Sequence, residues 1–309
     1  PLMKHISISK NTANIHKSGI TCDELLYILE NKSNIDILTE LYKSNIKIKK
    51  HLFLFPFFFL LTFTVCNAQK NVLTFTIEAP QLQTSKKIWL YLPENYATST
   101  KKFPVIYMHD GQNLFDAKTA YAGEWQIDET LDSLKAEVIV VGIEHGNEKR
   151  IDELTPFKNE QYGGGNANNY LDFIVSNLKP YIDATYRTKT GPYNTAIGGS
   201  SLGGLVSYYA ALKYPKVFGK AIVFSPAFWI NPEMYTLSEN TKKLKSKLYF
   251  MCGDNESETM VADMERMIDL VNTKRCSCLH LTRTKVVPDG KHNEKLWSKE
   301  FAKAYLWLF

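Results

Sequence analysis

A serine framed by glycines is the first feature of the sequence that could carry out chemistry. The segment Gly199-Ser-Ser-Leu-Gly203 fits the pattern G-x-S-x-G, with Ser201 at its centre. Such a pattern holds a nucleophile on a sharp strand-to-helix turn, where side chains two residues before and after it would collide. Ser200 does not fit, because Leu202 lies two residues beyond it. The pattern predicts Ser201 as the nucleophile of an acyl transfer, with a glycine-rich packing turn as the alternative.

A serine hydroxyl becomes a good nucleophile only when a base takes its proton. Two histidines follow Ser201 in the chain, His280 and His292. His280 alternates with leucines in a strand-like run, which indicates a residue on the strand surface. His292 follows the turn 288–291, after the last predicted strand. We therefore predict His292 as the base, and a solvated loop histidine is the alternative.

The acid of such a site should follow the preceding strand, because the usual chain order is serine, acid, histidine. The loop 253–258 offers three carboxylates, at Asp254, Glu256 and Glu258. The pattern of residues alone does not separate Asp254 from Glu256.

An acyl-transfer site also needs donors for the oxyanion that forms at the carbonyl oxygen. One backbone N–H comes from the residue after the nucleophile, which is Leu202, and the other from the loop after an early strand. The segment Met108–Asn113 ends the predicted strand Phe103–His109, and we assign the N–H of Gln112 as the second donor. His109 and Asp110 are expected to brace this turn. Further ligands are missing, so we expect neither a metal nor a cofactor.

The elements that must position these residues follow an α/β pattern. Eight strands are predicted, and four helical segments lie between or after the later ones. The predicted strands are Val72–Ala79, Lys87–Leu92, Phe103–His109, Val138–Ile143, Tyr193–Gly199, Lys220–Ser225, Leu248–Cys252 and Leu281–Val287. Uniformly apolar short strands are typical of a parallel sheet that is covered on both faces. We expect one domain over residues 69–309. Only about 55 residues separate Ser201 from Glu256, which leaves no room for a large lid.

The N-terminal region has the pattern of an export signal. Residues 47–68 combine a lysine-rich start, a 14-residue apolar stretch and a final small residue, Ala68. The apolar stretch is shorter than a membrane-spanning helix requires. We therefore expect a secreted or periplasmic protein without a membrane span in its mature form. Residues 1–46 form an extension of unassigned role, which a mis-assigned start codon would explain.

Charge and cysteine content exclude other classes of protein. Residues 69–309 carry 29 basic and 27 acidic side chains, so a nucleic-acid partner is not expected. Cys252, Cys276 and Cys278 follow the export signal. Parallel strands would hold Cys252 too far from the other two for a bridge, so no structural disulfide is predicted.

Taken together, these segments resemble the esterase family of α/β hydrolases that includes feruloyl and acetyl-xylan esterases, S-formylglutathione hydrolase, siderophore trilactone esterases and mycolyltransferases. The resemblance runs from about Ile88 to the C-terminus and rests on YMHDGQNLF (107–115), EWQIDETL (124–131), VVGIEHGNEKRIDELTP (140–156), GGGNANNYLDFI (163–174), IGGSSLGG (197–204), FSPAFW (224–229), CGDNES (252–257) and DGKHNEKLW (289–297). It implies an α/β-hydrolase fold, with a mostly parallel sheet of about eight strands between helices.

By position, the resemblance makes Ser201 the nucleophile, His292 the base and Glu256 the acid. Glu replaces the Asp that many relatives have at this position. The resemblance further implies a serine ester hydrolase that acts on an esterified carbohydrate or a siderophore ester. An acyltransferase and a non-catalytic carbohydrate-binding module are the alternatives.

Three aromatic residues near these segments, Trp125, Phe228 and Trp229, could line the substrate pocket. Aromatic side chains are equally common in protein cores, so both interpretations stay open.

Overall fold

The computed structural model describes residues 71–274 and 280–309. The predicted extension and export signal lie outside these residues, as do Cys276 and Cys278. Residues Gln69–Phe309 form one compact unit. Cys252 is a buried free thiol, and burial raises its pKa to about 12.

Eight strands in the described residues form one sheet, as predicted. They are β1 (Val72–Ala79), β2 (Thr84–Tyr91), β3 (Val105–His109), β4 (Ile139–Ile143), β5 (Thr195–Ser200), β6 (Lys220–Phe224), β7 (Lys247–Gly253) and β8 (Thr282–Val287). Their spatial order is β1-β2-β4-β3-β5-β6-β7-β8. β2 pairs antiparallel with β1 and β4, and the other neighbours are parallel. The carboxyl ends of β3 to β8 therefore meet at one edge of the sheet, where α/β proteins place their sites.

Helices connect the strands. They are α1 (Ile127–Ser133), α2 (Arg150–Leu154), α3 (Ala167–Phe173), α4 (Lys179–Thr185), α5 (Leu202–Lys213), α6 (Glu233–Asn240), α7 (Met260–Thr273) and α8 (Glu294–Leu308). A π-helical turn, Ile174–Leu178, joins α3 to α4, and 3-10 turns include Gly111–Asn113 and Phe228–Ile230.

The two faces of the sheet are buried in two separate apolar clusters. In β3, Val105 and Tyr107 belong to the cluster that contains residues of α3, α5 and α7. Ile106 and Met108 belong to the other, with residues of α1 and α8. This alternation follows from the two-residue period of a strand. It explains why β3 and β4 are apolar apart from His109 at the end of β3: all five residues of each strand are buried. The prediction of a sheet covered on both faces is confirmed.

Between β6 and β7 the chain forms only the turn Phe228–Ile230 and the eight-residue helix α6. No helix within the described ranges is long and apolar enough to cross a bilayer.

Candidate active site

Ser201 is the single residue between the end of β5 and the start of α5, and its backbone angles are φ 58° and ψ −120°. Residues other than glycine rarely adopt this backbone conformation, and backbone strain of this kind concentrates at functional sites. The turn closes tightly: a Cβ atom on Gly199 would lie 3.1 Å from Cα of Gly203. The two framing glycines are therefore needed for steric reasons. The backbone N–H of Ser201 donates to the carbonyl of Phe224 at 3.0 Å, which ties the turn to the end of β6.

The histidine and one of the candidate acids are in direct contact. Nδ1 of His292 lies 2.7 Å from Oε2 of Glu256. The Glu256 side chain is fully buried, whereas 35% of the His292 side chain is exposed. Asp254, the other candidate acid, is exposed, and its backbone N–H donates to the carbonyl of Val287. The structure thus brings Glu256, and not Asp254, to the imidazole.

Glu256 uses both of its oxygens. While Oε2 faces His292, Oε1 accepts hydrogen bonds from the backbone N–H of Gly253 at 2.6 Å and from Oγ of Ser225 at 2.7 Å. Ser225 directly follows Phe224, which binds the Ser201 turn. A short series of contacts therefore links the three candidate catalytic residues at the carboxyl edge of the sheet.

Two glycines bring the acid loop and the base loop together. A Cβ atom on Gly253 would lie 2.2 Å from the carbonyl oxygen of Gly290. That same carbonyl accepts a hydrogen bond from the N–H of Asn255 at 3.0 Å. Only glycines allow the two backbones to approach this closely. The approach places residue 256 beside residue 292.

α8 begins at Glu294, two residues after His292. Asn293 is its N-cap, and the Asn293 side chain accepts a hydrogen bond from the N–H of Leu296 at 3.1 Å. Asparagine is among the preferred N-cap residues because it satisfies a free N–H of the first turn. This cap fixes where the helix starts. Trp297, in the next turn, packs its ring edge-on to His292 with centroids 5.0 Å apart.

The two predicted oxyanion donors both lie in the first turn of a helical element. Leu202 is the first residue of α5, and Gln112 is the second residue of the 3-10 turn Gly111–Asn113. Backbone N–H groups at these positions have no partner within their helix. The start of α5 lies beside the residues that lead into this 3-10 turn, since a Cβ atom on Gly203 would lie 3.3 Å from Cβ of His109 and 3.6 Å from Oδ2 of Asp110.

His109 and Asp110 brace the turn that carries Gln112. Nδ1 of His109 lies 2.8 Å from the Tyr170 hydroxyl, and burial lowers the pKa of His109 to about 4, which keeps it neutral. Asp110 accepts two hydrogen bonds from Arg150, at 2.7 and 2.8 Å. Burial alone would raise the pKa of Asp110, but the Arg150 charge lowers it. Neither Tyr170 nor Arg150 was singled out from the sequence, because both partners are distant in the chain.

The three aromatic candidates differ in burial. Phe228 is fully buried and Trp125 is 3% exposed, so neither ring faces solvent; the core alternative describes them. Trp125 stacks on Phe224 and packs against Trp297, behind the base. Trp229 is 53% exposed. Its ring packs edge-on to the half-exposed ring of Tyr162, with the ring centroids 5.6 Å apart. Among the three, only Trp229 can meet a ligand directly.

One group of carboxylates in the described part of the chain has a spacing that could hold a metal ion. The oxygens of Glu124, Asp128 and Glu129, around the start of α1, lie within 4.8 Å of one another. The pKa of Asp128 is raised to about 8 by burial and by its hydrogen bond with Glu129. A proton shared within this cluster would relieve the repulsion between the carboxylates. Sequence analysis did not identify this cluster.

Comparison with known protein families matches residues 79–308 to the family described as "Putative esterase". The chain belongs to this family. The prediction of a carboxylic ester hydrolase is confirmed at this level.

Three curated proteins illustrate the relationship. The uncharacterized protein YbbA of Bacillus subtilis is 28% identical over 244 residues, which cover 73% of this chain and 93% of YbbA. An endo-1,4-beta-xylanase/feruloyl esterase of Xylanibacter ruminicola is 25% identical, over 54% of this chain and 22% of its own. The siderophore triacetylfusarinine C esterase of Aspergillus fumigatus is 29% identical, over 45% of this chain and 49% of its own.

Solved structures show the same fold. The BES protein from Bacillus cereus superposes with a TM-score of 0.62 at 18% identity, over 78% of this chain and 95% of its own. An IroE-like serine hydrolase from Shewanella oneidensis has a TM-score of 0.62 at 22% identity, over 76% and 79%. The predicted α/β-hydrolase fold is confirmed.

Proposed function

We propose that this esterase hydrolyses carboxylic esters through a Ser201–His292–Glu256 triad and a covalent acyl-enzyme. The 2.7 Å contact between Nδ1 of His292 and the buried carboxylate of Glu256 carries the proposal. A carboxylate at this position holds the imidazole proton on Nδ1, so that Nε2 is free to accept the proton of a serine hydroxyl.

In the first step, Oγ of Ser201 attacks the ester carbonyl carbon while its proton passes to Nε2 of His292. The carbonyl oxygen becomes an oxyanion, which accepts hydrogen bonds from the N–H groups of Leu202 and Gln112. The bond between the carbonyl carbon and the alcohol oxygen then breaks. The imidazolium returns its proton to that oxygen, and the alcohol leaves.

In the second step, water attacks the acyl-enzyme. His292 takes a proton from the water and later gives it to Oγ of Ser201, which releases the carboxylic acid. With 35% of the His292 side chain exposed, water can reach the base. The match to an esterase family favours hydrolysis over acyl transfer to a sugar or lipid alcohol. Product analysis with an added alcohol acceptor tests the choice, because a transferase would form the new ester in preference to the free acid.

The test of the triad begins with a fluorophosphonate probe, which forms a covalent bond with an activated serine. Ser201→Ala should abolish labelling and lower ester turnover by about 10⁴–10⁶-fold, because the nucleophile is lost. Ser200→Ala is the matched control and should still be labelled. Full turnover by a folded Ser201→Ala protein would refute the mechanism, and absence of labelling in the wild type would indicate a non-catalytic module.

For the substrate, we propose an esterified carbohydrate of the feruloyl or acetyl type, or a siderophore ester. The names of two relatives and the exposed ring of Trp229 support this class, since exposed aromatic rings stack on sugars and on planar acyl groups. A panel of p-nitrophenyl acyl esters, methyl ferulate, acetylated xylan and a ferric trilactone would identify the ester.

On the preferred substrate, Trp229→Ala should raise KM with little effect on kcat. Tyr193→Ala removes an exposed ring in the turn that precedes β5 and is the control; equal effects would exclude a role for Trp229.

We also propose that the protein is exported and that its mature chain begins at Gln69. The three-part pattern of residues 47–68 supports this proposal. N-terminal sequencing of the protein from its native host tests it, and a mature chain that retains residues 47–68 would contradict it.

A further inference from the structure

A buried serine outside the triad controls how Glu256 is held. Ser225 is fully buried, and its Oγ lies 2.7 Å from Oε1 of Glu256 and 2.8 Å from Nε1 of Trp297. An indole nitrogen can only donate a hydrogen bond. The oxygen of Ser225 must therefore accept from Trp297, and its single hydrogen is directed to Glu256. The order of donation is fixed: Trp297 to Ser225 to Glu256.

The position of Ser225 is set by its backbone. Its N–H donates to the carbonyl of Met251 at 2.6 Å, which joins the ends of β6 and β7. Its φ of 42° lies in the left-handed region, an unfavourable conformation for a residue other than glycine. Conformations of this kind persist where the surroundings hold them, and they concentrate at functional sites.

Trp297 contacts His292 directly and is connected to Glu256 through Ser225. Its indole N–H reaches Ser225, while its ring packs against the His292 ring. Trp297 is 6% exposed, and its ring packs against the ring of Trp125. α8 carries Trp297 and begins beside His292. The helix therefore fixes the position of His292 relative to Ser225, and through Ser225 relative to Glu256.

We propose that Ser225 and Trp297 are positioning residues of the ester hydrolysis proposed above. Two donors on Oε1, from Gly253 and Ser225, prevent the Glu256 carboxylate from rotating, so that Oε2 stays directed at Nδ1 of His292. Trp297 acts through Ser225 by orienting its hydroxyl hydrogen. Such outer contacts act on the orientation of the base and not on substrate binding, so they affect kcat more than KM.

A double-mutant cycle tests this inference. Ser225→Ala should lower kcat by about 10- to 100-fold, part of the 10²–10⁴-fold that a general base contributes, and leave KM nearly unchanged. Trp297→Phe keeps a large ring but lacks the N–H, and it should lower kcat by a smaller factor. The double variant should be no slower than Ser225→Ala alone, because Phe keeps an aromatic ring beside His292 and the lost N–H acts only through the hydroxyl that is already missing. Multiplicative losses in the double variant would overturn the inference.

A second arm uses the acid itself. In a Glu256→Gln background, Ser225→Ala should cause little further loss of kcat, whereas an independent structural defect would persist. Ser238→Ala is the matched control, since Ser238 is also buried and bonded to Tyr208, but in α6. It should lower the melting temperature without lowering kcat. If Ser225→Ala does not fold, the Trp297→Phe variant alone decides: an unchanged kcat overturns the inference.

The failure of this inference is distinguishable from the failure of the proposed function. If Ser201→Ala abolishes turnover while Ser225→Ala and Trp297→Phe retain wild-type kcat, the triad stands and the positioning role falls. If Ser201→Ala retains turnover, the triad itself is wrong.

Discussion

At the scale of single residues, position in the loop after β7 decides which carboxylate reaches His292. Glu256 lies three residues beyond Gly253, and its own side chain reaches back to accept the N–H of that residue. Its other oxygen then faces His292. Asp254 directly follows the strand end and is exposed, so its side chain has no such geometry. A loop residue that curls back is therefore better placed than the residue closest to the strand.

The exchange Glu256→Gln should lower kcat by about 10³–10⁴-fold with the fold intact. The amide keeps the shape of the side chain, but it cannot stabilise the imidazolium or hold the correct tautomer. Steady-state kinetics on a p-nitrophenyl ester, together with circular dichroism, would measure both properties. Asp254→Asn is the control and should retain activity. The reverse ranking of the two variants would assign the acid to Asp254.

At the scale of secondary-structure elements, the loops after β7 and β8 work as a pair. The Gly253–Gly290 contact, the bond from Asn255 to the Gly290 carbonyl and the Asn293 cap of α8 all lie within this pair of loops. Each loop is therefore held by the other. Glu256 and His292 are therefore positioned by the two loops together and not by two separate strands.

We expect Gly253→Ala to impair both stability and catalysis. The new methyl group would overlap the Gly290 carbonyl, which forces the loops apart and costs roughly 1–3 kcal/mol of unfolding free energy. Displacing the acid by about 1 Å could lower kcat by about 10²-fold. Urea denaturation and kinetics measure the two effects. Gly191→Ala meets no atom within 4 Å and should change neither; wild-type behaviour of Gly253→Ala would show that the loops do not depend on this contact.

At the scale of the whole molecule, folding leaves a buried acid that is neutral near pH 7. Burial and the hydrogen bond with Glu129 raise the pKa of Asp128 from its ordinary value of 3.8 to about 8. Between these two values the folded state binds a proton that the unfolded chain has released. Its contribution to stability is therefore fully present below about pH 4 and is lost as the pH rises towards 8.

Asp128→Asn should remove this dependence, because an amide resembles the protonated acid and does not ionise. The melting temperature of the variant should exceed that of the wild type by a few degrees at pH 9 and match it near pH 4. Scanning calorimetry at several pH values makes the comparison. Addition of Mg²⁺ or Ca²⁺ provides an independent check. If a cation raised the wild-type melting temperature at pH 9 but not that of Asp128→Asn, the cluster would be a metal site and not a shared-proton site.

Much of this architecture follows from local patterns. The glycine frame around Ser201 predicts this residue as the nucleophile, and the apolar strands with their intervening helices indicate the fold, because sterics and hydrophobic periodicity act between near neighbours in the chain. His292 stands out because few histidines follow the serine. These features are encoded within windows of a few residues.

Contacts between residues that are far apart in the chain are fixed only when the protein folds. Ser225 and Trp297 are 72 residues apart, and Ser225 and Glu256 are 31 apart, so no local pattern pairs them. The same applies to the choice of Glu256 over Asp254 and to the burial of Phe228, both of which depend on what packs against them. Local patterns in the chain fix which residue types stand at the carboxyl edge of the sheet. Only packing across β6, β7 and α8 decided which of them meet, because hydrogen bonds and burial are set by neighbours in space.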